Sequence, residues 1–470
     1  MTAGHWWEPG NRDKSLPGVL LEDEEHGWVL HLDGSFEEID FGALASAGTP
    51  VAIPVRLPGT FPMLVGTTSQ GKLISLVGCQ VLGGSPNLLG SRGSLRLWPT
   101  VVVHGVHFQG AADFRLTSLS MRYSHLDAWA ATSGFSVRYA TNIYPVEVTY
   151  AKPEAVDGVL SGGLKISIEF WASGPSLPAL TNLSIDQQCW LTITSTVDLP
   201  FKKLLEDITD FANLISLGVG EPLRPLAMSA TCNAQDPSGS PVTASLELIH
   251  NRKPIAPTSR EVRHWEMLFI LPEVRARFSE LMATWFGRDE AFRSLCALYF
   301  GTVRSPSMYV EHRFLNMFQA LESYDRRTFT PAPEKMTAHQ ERRDRILKAV
   351  DTSDQKWLKN QLRHSHEPAA ADRIQRLVDK LDASWLLSKD DISMAADFRN
   401  YYTHFDPKVN QRLPALDKRF LVMHNLAVRL RVLCELLLLD AMGFSRNEVR
   451  ERIKSTQRLE RHLVELAEEG

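Results

Sequence analysis

The sequence predicts a multidomain α+β protein, with a β-rich sandwich or barrel-like domain over residues 1–255 and an all-helical domain over residues 256–470. The 470 residues exceed the ~100–200 of an ordinary domain. Short runs rich in Val, Ile, Thr and aromatic residues fill the first half, whereas apolar residues recur with the helical period after about residue 260. Strands followed by helices indicate two separately cored parts. We expect the boundary in the proline-containing residues 251–260.

The predicted strands are β-rich runs that end at Gly, Pro, Asn or Ser, the residues that favour turns. They lie at residues 18–22, 27–34, 51–57, 72–77, 94–103, 116–123, 135–139, 146–150, 164–171 and 190–197. A helix over residues 200–217 interrupts them, because Leu204, Ile208 and Phe211 recur at helical spacing.

The helices of the second half follow from apolar periodicity and from residues that start or stop helices. They are predicted at residues 274–286, 288–300, 305–326, 335–350, 354–362, 369–383, 388–405, 415–442 and 445–468. Ser445 and Glu448 match a capping box. Gly443 stands just after the longest apolar helix, where a left-handed residue is expected.

The composition is that of a globular protein, with 44% hydrophobic and 23% charged residues and a net charge of −4. These values exclude a wholly disordered, collagen-like or disulfide-scaffold protein. Charge is uneven along the chain: residues 1–260 contain 17 basic and 24 acidic residues, whereas residues 261–470 contain 34 and 31. The arginine-rich second half hints at a polyanion partner, although ordinary solvated helix faces give the same count.

The N-terminus contains no secretory signal pattern, and the most apolar stretch, residues 430–443, is shorter than the ~20 residues of a membrane span. We therefore expect a cytoplasmic protein without membrane contact. The five cysteines show no C-x-x-C spacing, and a phosphate-binding Gly-Lys-Ser/Thr loop is missing. Neither a metal nor a cofactor is expected.

Residues 388–406 form the most informative segment. Ser388 and Asp391 can cap the start of a helix, and Pro407 should end it. At ~100° per residue, the side chains expected to face the core share one arc. They are Met394, Phe398, Tyr401, Tyr402 and Phe405. A polar stripe is expected on the opposite side, and its members are Ser393, Asp397, Asn400 and His404, with Arg399 beside them.

This stripe places an imidazole, an amide and a guanidinium on one patch, with the carboxylate of Asp397 a turn earlier. Imidazole exchanges protons near neutral pH, and guanidinium can hold a phosphate and stabilise added negative charge. Together these groups suit metal-free cleavage of a phosphodiester. An ordinary solvated helix face is the alternative.

The run Arg399-Asn400-Tyr-Tyr-Thr-His404 resembles the R-N-x-x-x-H signature of HEPN-domain ribonucleases. It is followed by a long leucine-rich helix and preceded, from Phe318 to Glu322 and beyond, by a segment similar to the first core helix of the ApeA-like HEPN group. The Trp-Glu-Pro start, the Pro17-Gly-Val-Leu-Leu run and residues 27–34 also resemble the ApeA N-terminal domain.

The resemblance implies a bacterial anti-phage (abortive infection) protein with a C-terminal HEPN endoribonuclease domain that acts as a homodimer. Arg399 and His404 would be the essential catalytic pair, and Asn400 would position one of them. The ribose 2′-hydroxyl would attack the phosphate, so RNA and not DNA would be cleaved. Glu322 and Asp397 are candidate supporting residues, with structural roles at least as plausible for Glu322.

The β-rich domain contains no visible catalytic set, and the resemblance suggests that it senses a phage-derived trigger and restrains the nuclease. Two alternatives stay open at this point. The helical domain is a non-catalytic HEPN scaffold or nucleotide-binding module, or the β-rich domain is the functional part, for example as a carbohydrate-binding module with a helical dimerisation stalk.

Overall fold

The computed structural model describes residues 1–36, 59–85, 93–140, 144–175, 184–235, 238–251, 261–329, 333–460 and 462–463. The chain forms two compact units, each built from three segments. Unit 1 comprises Met1–Ile215, Leu223–Val262 and Leu271–Met282, and unit 2 comprises Ser216–Pro222, Arg263–Ile270 and Ala283–Gly470. The predicted boundary at residues 251–260 lies, apart from Asn251, outside the described residues, and it stays a prediction.

Strands dominate unit 1, as the sequence predicts. They are β1 (Thr2–Trp7), β2 (Leu16–Asp23), β3 (Gly27–Leu32), β4 (Thr60–Thr68), β5 (Leu73–Ser85), β6 (Ser94–Trp98), β7 (Val101–His104), β8 (Arg115–Tyr123), β9 (Phe135–Ala140), β10 (Tyr144–Tyr150), β11 (Val156–Val159), β12 (Leu164–Ser173), β13 (Asp186–Pro200), β14 (Pro225–Gln235) and β15 (Pro241–His250). The strand predicted over residues 51–57 lies outside the described residues.

Six of these strands close into a barrel. β1 pairs with β2 and β4, β2 pairs with β3, and β4 pairs with β5. β6 pairs with both β3 and β5 and so completes the ring. The sheet continues from β5 through β7, β15, β14, β8, β13 and β12 to β11, while β9 and β10 form a separate two-stranded sheet. The described pairings are all antiparallel.

The barrel interior is filled by apolar side chains from alternating strand positions, which is the expected consequence of the two-residue period. Trp6 is fully buried there, packed among Leu20, Leu64 and Ile74. Gly66 faces the Trp6 ring so closely that a Cβ at this position would lie 2.2 Å from it. The absence of a side chain at Gly66 therefore makes room for the largest residue of the core.

Helices dominate the second half of the chain, again as predicted. The described helices are α1 (Leu126–Ala130), α2 (Phe201–Val219), α3 (Leu271–Val274), α4 (Phe278–Phe286), α5 (Glu290–Val303), α6 (Val310–Thr328), α7 (Pro333–Lys348), α8 (Thr352–Gln361), α9 (Ala370–Lys380), α10 (Lys389–His404), α11 (Pro407–Asn410), α12 (Leu416–Ala441) and α13 (Arg446–Ser455). Among these, none has the length and apolar character that a membrane crossing requires.

Helix α6 lies at the centre of unit 2, where it contacts α5, α9, α10 and α12. Its fully buried Phe314, Phe318 and Leu321 lie three to four residues apart and so form one face. The long helix α12 buries most of its leucines, including Leu433 and Leu437. This packing holds the helix that carries Glu322 beside the helix that carries Arg399.

Two predictions about the last helix are wrong. Helix α13 ends at Ser455, well before residue 468. Its N-cap Ser445 makes no side-chain capping hydrogen bond, so the capping box with Glu448 does not form. The first polar contact of this helix is instead an ion pair, in which Arg446 Nε donates to Asp440 Oδ1 at 2.7 Å.

Candidate active site

The helix that carries the R-N-x-x-x-H residues, α10, has the boundaries that its sequence predicts. Ser388 accepts a hydrogen bond from the Asp391 N–H, while Asp391 accepts one from the Ser388 N–H at 2.9 Å. The predicted capping box is therefore present. The helix ends at His404, and Phe405 follows in a left-handed conformation with φ +52°.

Helix α10 is fixed against α6 by its apolar face. Ile392, Ala395 and Phe398 are buried, and the ring of Phe398 lies 5.9 Å from that of Phe314 on α6. The core-facing arc predicted for this helix is correct for Phe398 but wrong for Phe405, whose side chain is 65% exposed. The left-handed residue leaves the helical path, so its side chain no longer follows the 100° step.

This packing brings Arg399, Asn400 and Glu322 together. The Arg399 Nε and Nη2 groups donate to the Glu322 Oε2 atom at 3.3 and 3.2 Å, and Nη1 donates to the Asn400 Oδ1 atom at 3.1 Å. A guanidinium has five N–H donors, and these bonds use three of them. Arg399 is therefore oriented by two neighbours while it keeps donors for a further acceptor.

Arg399 and Glu322 line a cleft of about 380 Å³ between α6 and α10. The other lining side chains include Gln319, Arg326, Arg327 and Thr403. Three arginines thus face one glutamate, so positive charge predominates. Arg326 pairs with Glu367 at 3.5 Å and Arg327 with Glu290 at 3.4 Å, and both pairs are largely open to solvent. Such pairs contribute little energy, which leaves both side chains able to exchange partners.

His404 lies outside this cleft, at the exposed last position of α10. It is not among the described residues that line the cleft. It lies one turn after Asn400, and four-residue spacing places the two on one face of the helix. Thr403, which does line the cleft, donates its hydroxyl to the Arg399 carbonyl oxygen at 2.7 Å. Within one chain, the structure groups Arg399, Asn400 and Glu322 and leaves His404 apart.

Asp397 pairs with Arg412, which lies outside the R-N-x-x-x-H motif. Both carboxylate oxygens accept hydrogen bonds from Arg412, one of them from Nε at 3.0 Å. These bonds also raise the pKa of the Arg412 guanidinium. The pair ties α10 to the segment after α11. The supporting role of Asp397 stays a prediction.

Aromatic side chains surround the end of the motif helix. The Arg419 guanidinium lies over the Tyr401 ring at 5.5 Å, and the Tyr401 and Phe405 rings are 5.5 Å apart. Burial, followed by the charge of Glu311, raises the pKa of the neighbouring Tyr402 hydroxyl. Phe405, Leu416 and Phe420 expose 65%, 80% and 61% of their surface. We refer to these three exposed side chains together as the apolar patch.

The sequence reasoning missed Arg326 and Arg327, although a signal for them was present. Arg326 follows Glu322 by four residues on α6, so the two share a helix face. No group of three or more His, Cys, Asp or Glu side chains that could hold a metal ion occurs within the described part of the chain.

Comparison with protein families assigns both halves. Residues 1–285 match the model described as ApeA N-terminal domain 1, and residues 315–448 match the Apea-like HEPN model. Glu322 and the Arg399–His404 motif fall within the second match. Searches of curated proteins and of solved structures found no match. The first match covers more than half of the chain, and the chain therefore belongs to the ApeA family, with an ApeA N-terminal domain followed by an Apea-like HEPN domain.

Proposed function

We propose that this chain is a bacterial anti-phage protein of the abortive-infection type, whose HEPN domain is a metal-independent endoribonuclease. One observation carries the proposal. Arg399 is held by Glu322 and Asn400 at the wall of a cleft in which positive charge predominates. A guanidinium with a fixed orientation and remaining donors suits a phosphate whose charge increases during reaction.

The proposed reaction needs no atoms beyond those of the RNA. The 2′-hydroxyl oxygen attacks the adjacent phosphorus while the bond from phosphorus to the 5′-oxygen breaks. The proton leaves the 2′-hydroxyl and ends on the departing 5′-oxygen, which gives a 2′,3′-cyclic phosphate and a free 5′-hydroxyl. His404 is the proposed carrier of this proton. Arg399 is the group proposed to stabilise the negative charge of the five-coordinate phosphorus in the transition state. DNA lacks the nucleophile and should not react.

The separate positions of Arg399 and His404 favour a homodimer as the active form. Five residues of helix turn the two side chains about 140° apart, so one chain presents them in different directions. Two motif helices that face each other would supply both groups to one RNA strand. The apolar patch (Phe405, Leu416 and Phe420) directly follows the motif, and exposed patches of this kind are typical of protein interfaces.

The proposed role of the barrel-containing domain is to sense a phage-derived trigger and restrain the nuclease. Its acidic charge and the lack of a second visible catalytic set in the sequence support a regulatory part. Simple deletion of residues 1–250 is a poor test, because Ser216–Pro222 belongs to unit 2. The sharper comparison is RNA integrity in cells that contain the full chain, with and without phage infection.

Cleavage assays on the purified full chain test the catalytic proposal. Arg399→Ala and His404→Ala should each lower single-turnover RNA cleavage by about 10²-fold or more. EDTA should leave the wild-type rate unchanged, and the products should carry 2′,3′-cyclic phosphates. Arg342→Ala, at an exposed arginine of α7, removes the same charge elsewhere and should have little effect.

The non-catalytic scaffold is the competing proposal, and the same variants separate the two. If Arg399→Ala and His404→Ala chains stay folded and protect cells from phage as well as the wild type does, the nuclease proposal is wrong. Loss of cleavage in EDTA, restored by a divalent ion, would instead contradict the metal-free mechanism.

Substitution in the apolar patch tests the dimer. Phe420→Asp should give a monomer in light scattering and lower RNA cleavage by tenfold or more at submicromolar protein, because charge in an apolar interface is costly. Trp357→Asp is the matched control, since Trp357 is similarly exposed on α8. A Phe420→Asp chain that stays dimeric and active would exclude this patch as the interface.

A further inference from the structure

Unit 2 contains a second cavity, which shares no lining residue with the cleft of Glu322 and Arg399. It lies between α6, α12 and the C-terminal segment after α13. Its polar lining residues are Arg313, His424, Arg431, Arg458 and His462, and Val428 is one of the apolar ones. The centre of a water molecule can move through about 70 Å³ of it.

The charges of this cavity are organised by Glu435, which is completely buried. Arg458 donates to both of its oxygens at 2.7 Å, and Arg431 Nε donates to Oε1 at 3.1 Å. The Tyr299 hydroxyl donates to the same Oε1 atom at 2.7 Å. Burial alone would raise the pKa of Glu435, but Arg458 and Arg431 outweigh it and hold the pKa at about 2. One ionised carboxylate therefore accepts hydrogen bonds from two guanidiniums.

The positive charge exceeds what this carboxylate neutralises. Arg313 is the third guanidinium at the cavity, and the partners of its Nη2 group are the neutral carbonyls of Pro306 and Met308. Glu221 adds a second carboxylate whose charge acts on Arg431. Among the residues that the structure describes, three guanidiniums thus face two carboxylates. The Arg458 side chain is only 8% exposed, and an uncompensated charge in such surroundings is unfavourable.

The backbone at Gly220 lies close to both Arg431 and Arg458. Arg431 Nη2 donates to the Gly220 carbonyl oxygen at 2.6 Å, and Gly220 has a left-handed φ of +86°. A Cβ at Gly220 would lie only 2.0 Å from Arg458 Nη1. A side chain at this position would therefore displace Arg458, and the left-handed backbone conformation also favours glycine. The arrangement of Arg431 and Arg458 around the cavity therefore depends on glycine at position 220.

The volume of the cavity limits the size of the ligand that it can hold. A water molecule needs about 10–15 Å³ of such centre volume, so 70 Å³ corresponds to about five to seven waters. A tetrahedral oxyanion, with one central atom and four oxygens, has five heavy atoms and matches the lower end of this range. Burial first, and then the charges of Arg431 and Arg458, lower the pKa of His462, so that this imidazole is neutral at pH 7 and adds no positive charge.

We propose that this cavity binds a phosphoryl group, which offers the arginines a compact acceptor with negative charge. Guanidinium–phosphate contacts are among the strongest hydrogen bonds in proteins. Inorganic phosphate and the phosphate of a nucleotide share this chemistry. The bound phosphoryl group neutralises the excess positive charge of the arginines. Its binding therefore stabilises unit 2, and this effect does not depend on RNA cleavage.

Titration of the purified full chain with sodium phosphate tests the proposal, at constant ionic strength and neutral pH. Calorimetry should give one saturable site per chain, with a rise in melting temperature that sodium chloride does not produce. A parallel titration with a nucleoside 5′-monophosphate distinguishes the sources. Binding of inorganic phosphate identifies the free ion as sufficient, and binding of the monophosphate alone identifies a nucleotide.

Two variants locate the site. Arg313→Gln should weaken phosphate binding about tenfold or more, because it removes a charged donor. Val428→Phe should block the cavity and leave all charges in place. Arg342→Gln is the control, with the same charge change on α7. The proposal is overturned if neither ligand binds in a saturable way, if both cavity variants bind like the wild type, or if Arg342→Gln weakens binding equally.

Discussion

The cleft and the Glu435 cluster both set a glutamate against arginine in unit 2, but they differ in exposure. In the cleft, Arg399 is 29% exposed and Glu322 14%, and the guanidinium keeps donors toward solvent. In the cluster, Glu435 is fully buried and its oxygens are saturated by Arg431, Arg458 and Tyr299. The first arrangement suits exchange with a substrate, and the second suits structure.

Removal of the glutamate carboxylate is therefore expected to act mainly on stability in the cluster and mainly on activity in the cleft. Loss of a carboxylate from the buried cluster should lower stability, since it leaves charges without a partner. Loss of the carboxylate from the cleft should change activity more than stability, because water can replace it.

Substitution of the buried carboxylate should have the largest effect. Glu435→Gln removes the carboxylate that Arg431 and Arg458 both contact, and we expect the free energy of unfolding to fall by about 3–5 kcal/mol. Urea titration followed by circular dichroism measures it. A change of less than 1 kcal/mol would show that the cluster does not stabilise the fold as proposed.

Acid should abolish this difference between wild type and variant. Glu435 has its pKa lowered from 4.5 to about 2, so its stabilising effect is complete above pH 4.5 and lost as the pH falls toward 2. The groups that face it are Tyr299 on α5, Arg431 on α12 and Arg458 in the C-terminal segment. The shift corresponds to about 3 kcal/mol. Melting curves of both chains from pH 6 to pH 2.5 should converge, and a constant gap would contradict the assignment.

The equivalent change in the cleft should be mild for stability. Glu322→Gln should lower unfolding free energy by less than about 1 kcal/mol, as for other partly exposed ion pairs. RNA cleavage should fall about tenfold, because Arg399 loses the acceptor that orients it. Glu311→Gln, at another glutamate on α6, is the control for the charge change. Equal activities of wild type and Glu322→Gln would remove Glu322 from the site.

The smallest effect is expected at the cleft arginines. Arg326→Gln should weaken RNA binding a few-fold and lower the slope of log affinity against log salt by about 1, the contribution of one phosphate contact. Binding titrations at several salt concentrations measure that slope. An unchanged slope would mean that RNA does not contact Arg326.

The helices that build the cleft could be predicted well, because their determinants are local. The Ser388–Asp391 capping box and the apolar period of α6, α10 and α12 lie within single segments. The contact between Arg399 and Glu322 joins residues 77 positions apart, and no local pattern encodes that distance. The same applies to the bond between Arg458 and Glu435.

The barrel was harder to predict for the same reason. β1 contains Gly4 and His5, and β4 contains Pro62 and Gly66, so neither has the composition of a strand. Each forms because its neighbours in the ring pair with it and because Trp6 fills the interior. At Phe405, one left-handed residue ended the helical wheel on which the prediction depended.

The bond between Arg431 and Gly220 has a consequence for synthesis of the chain. The two residues are separated by 211 positions, and Arg458 is translated later still. At a synthesis rate of about 5–20 residues per second, Arg431 is added roughly 10–40 s after Gly220. The Glu435 cluster therefore cannot close until Arg458 has been added, long after Gly220. The helical unit is thus completed by contacts between residues that are synthesised far apart in time.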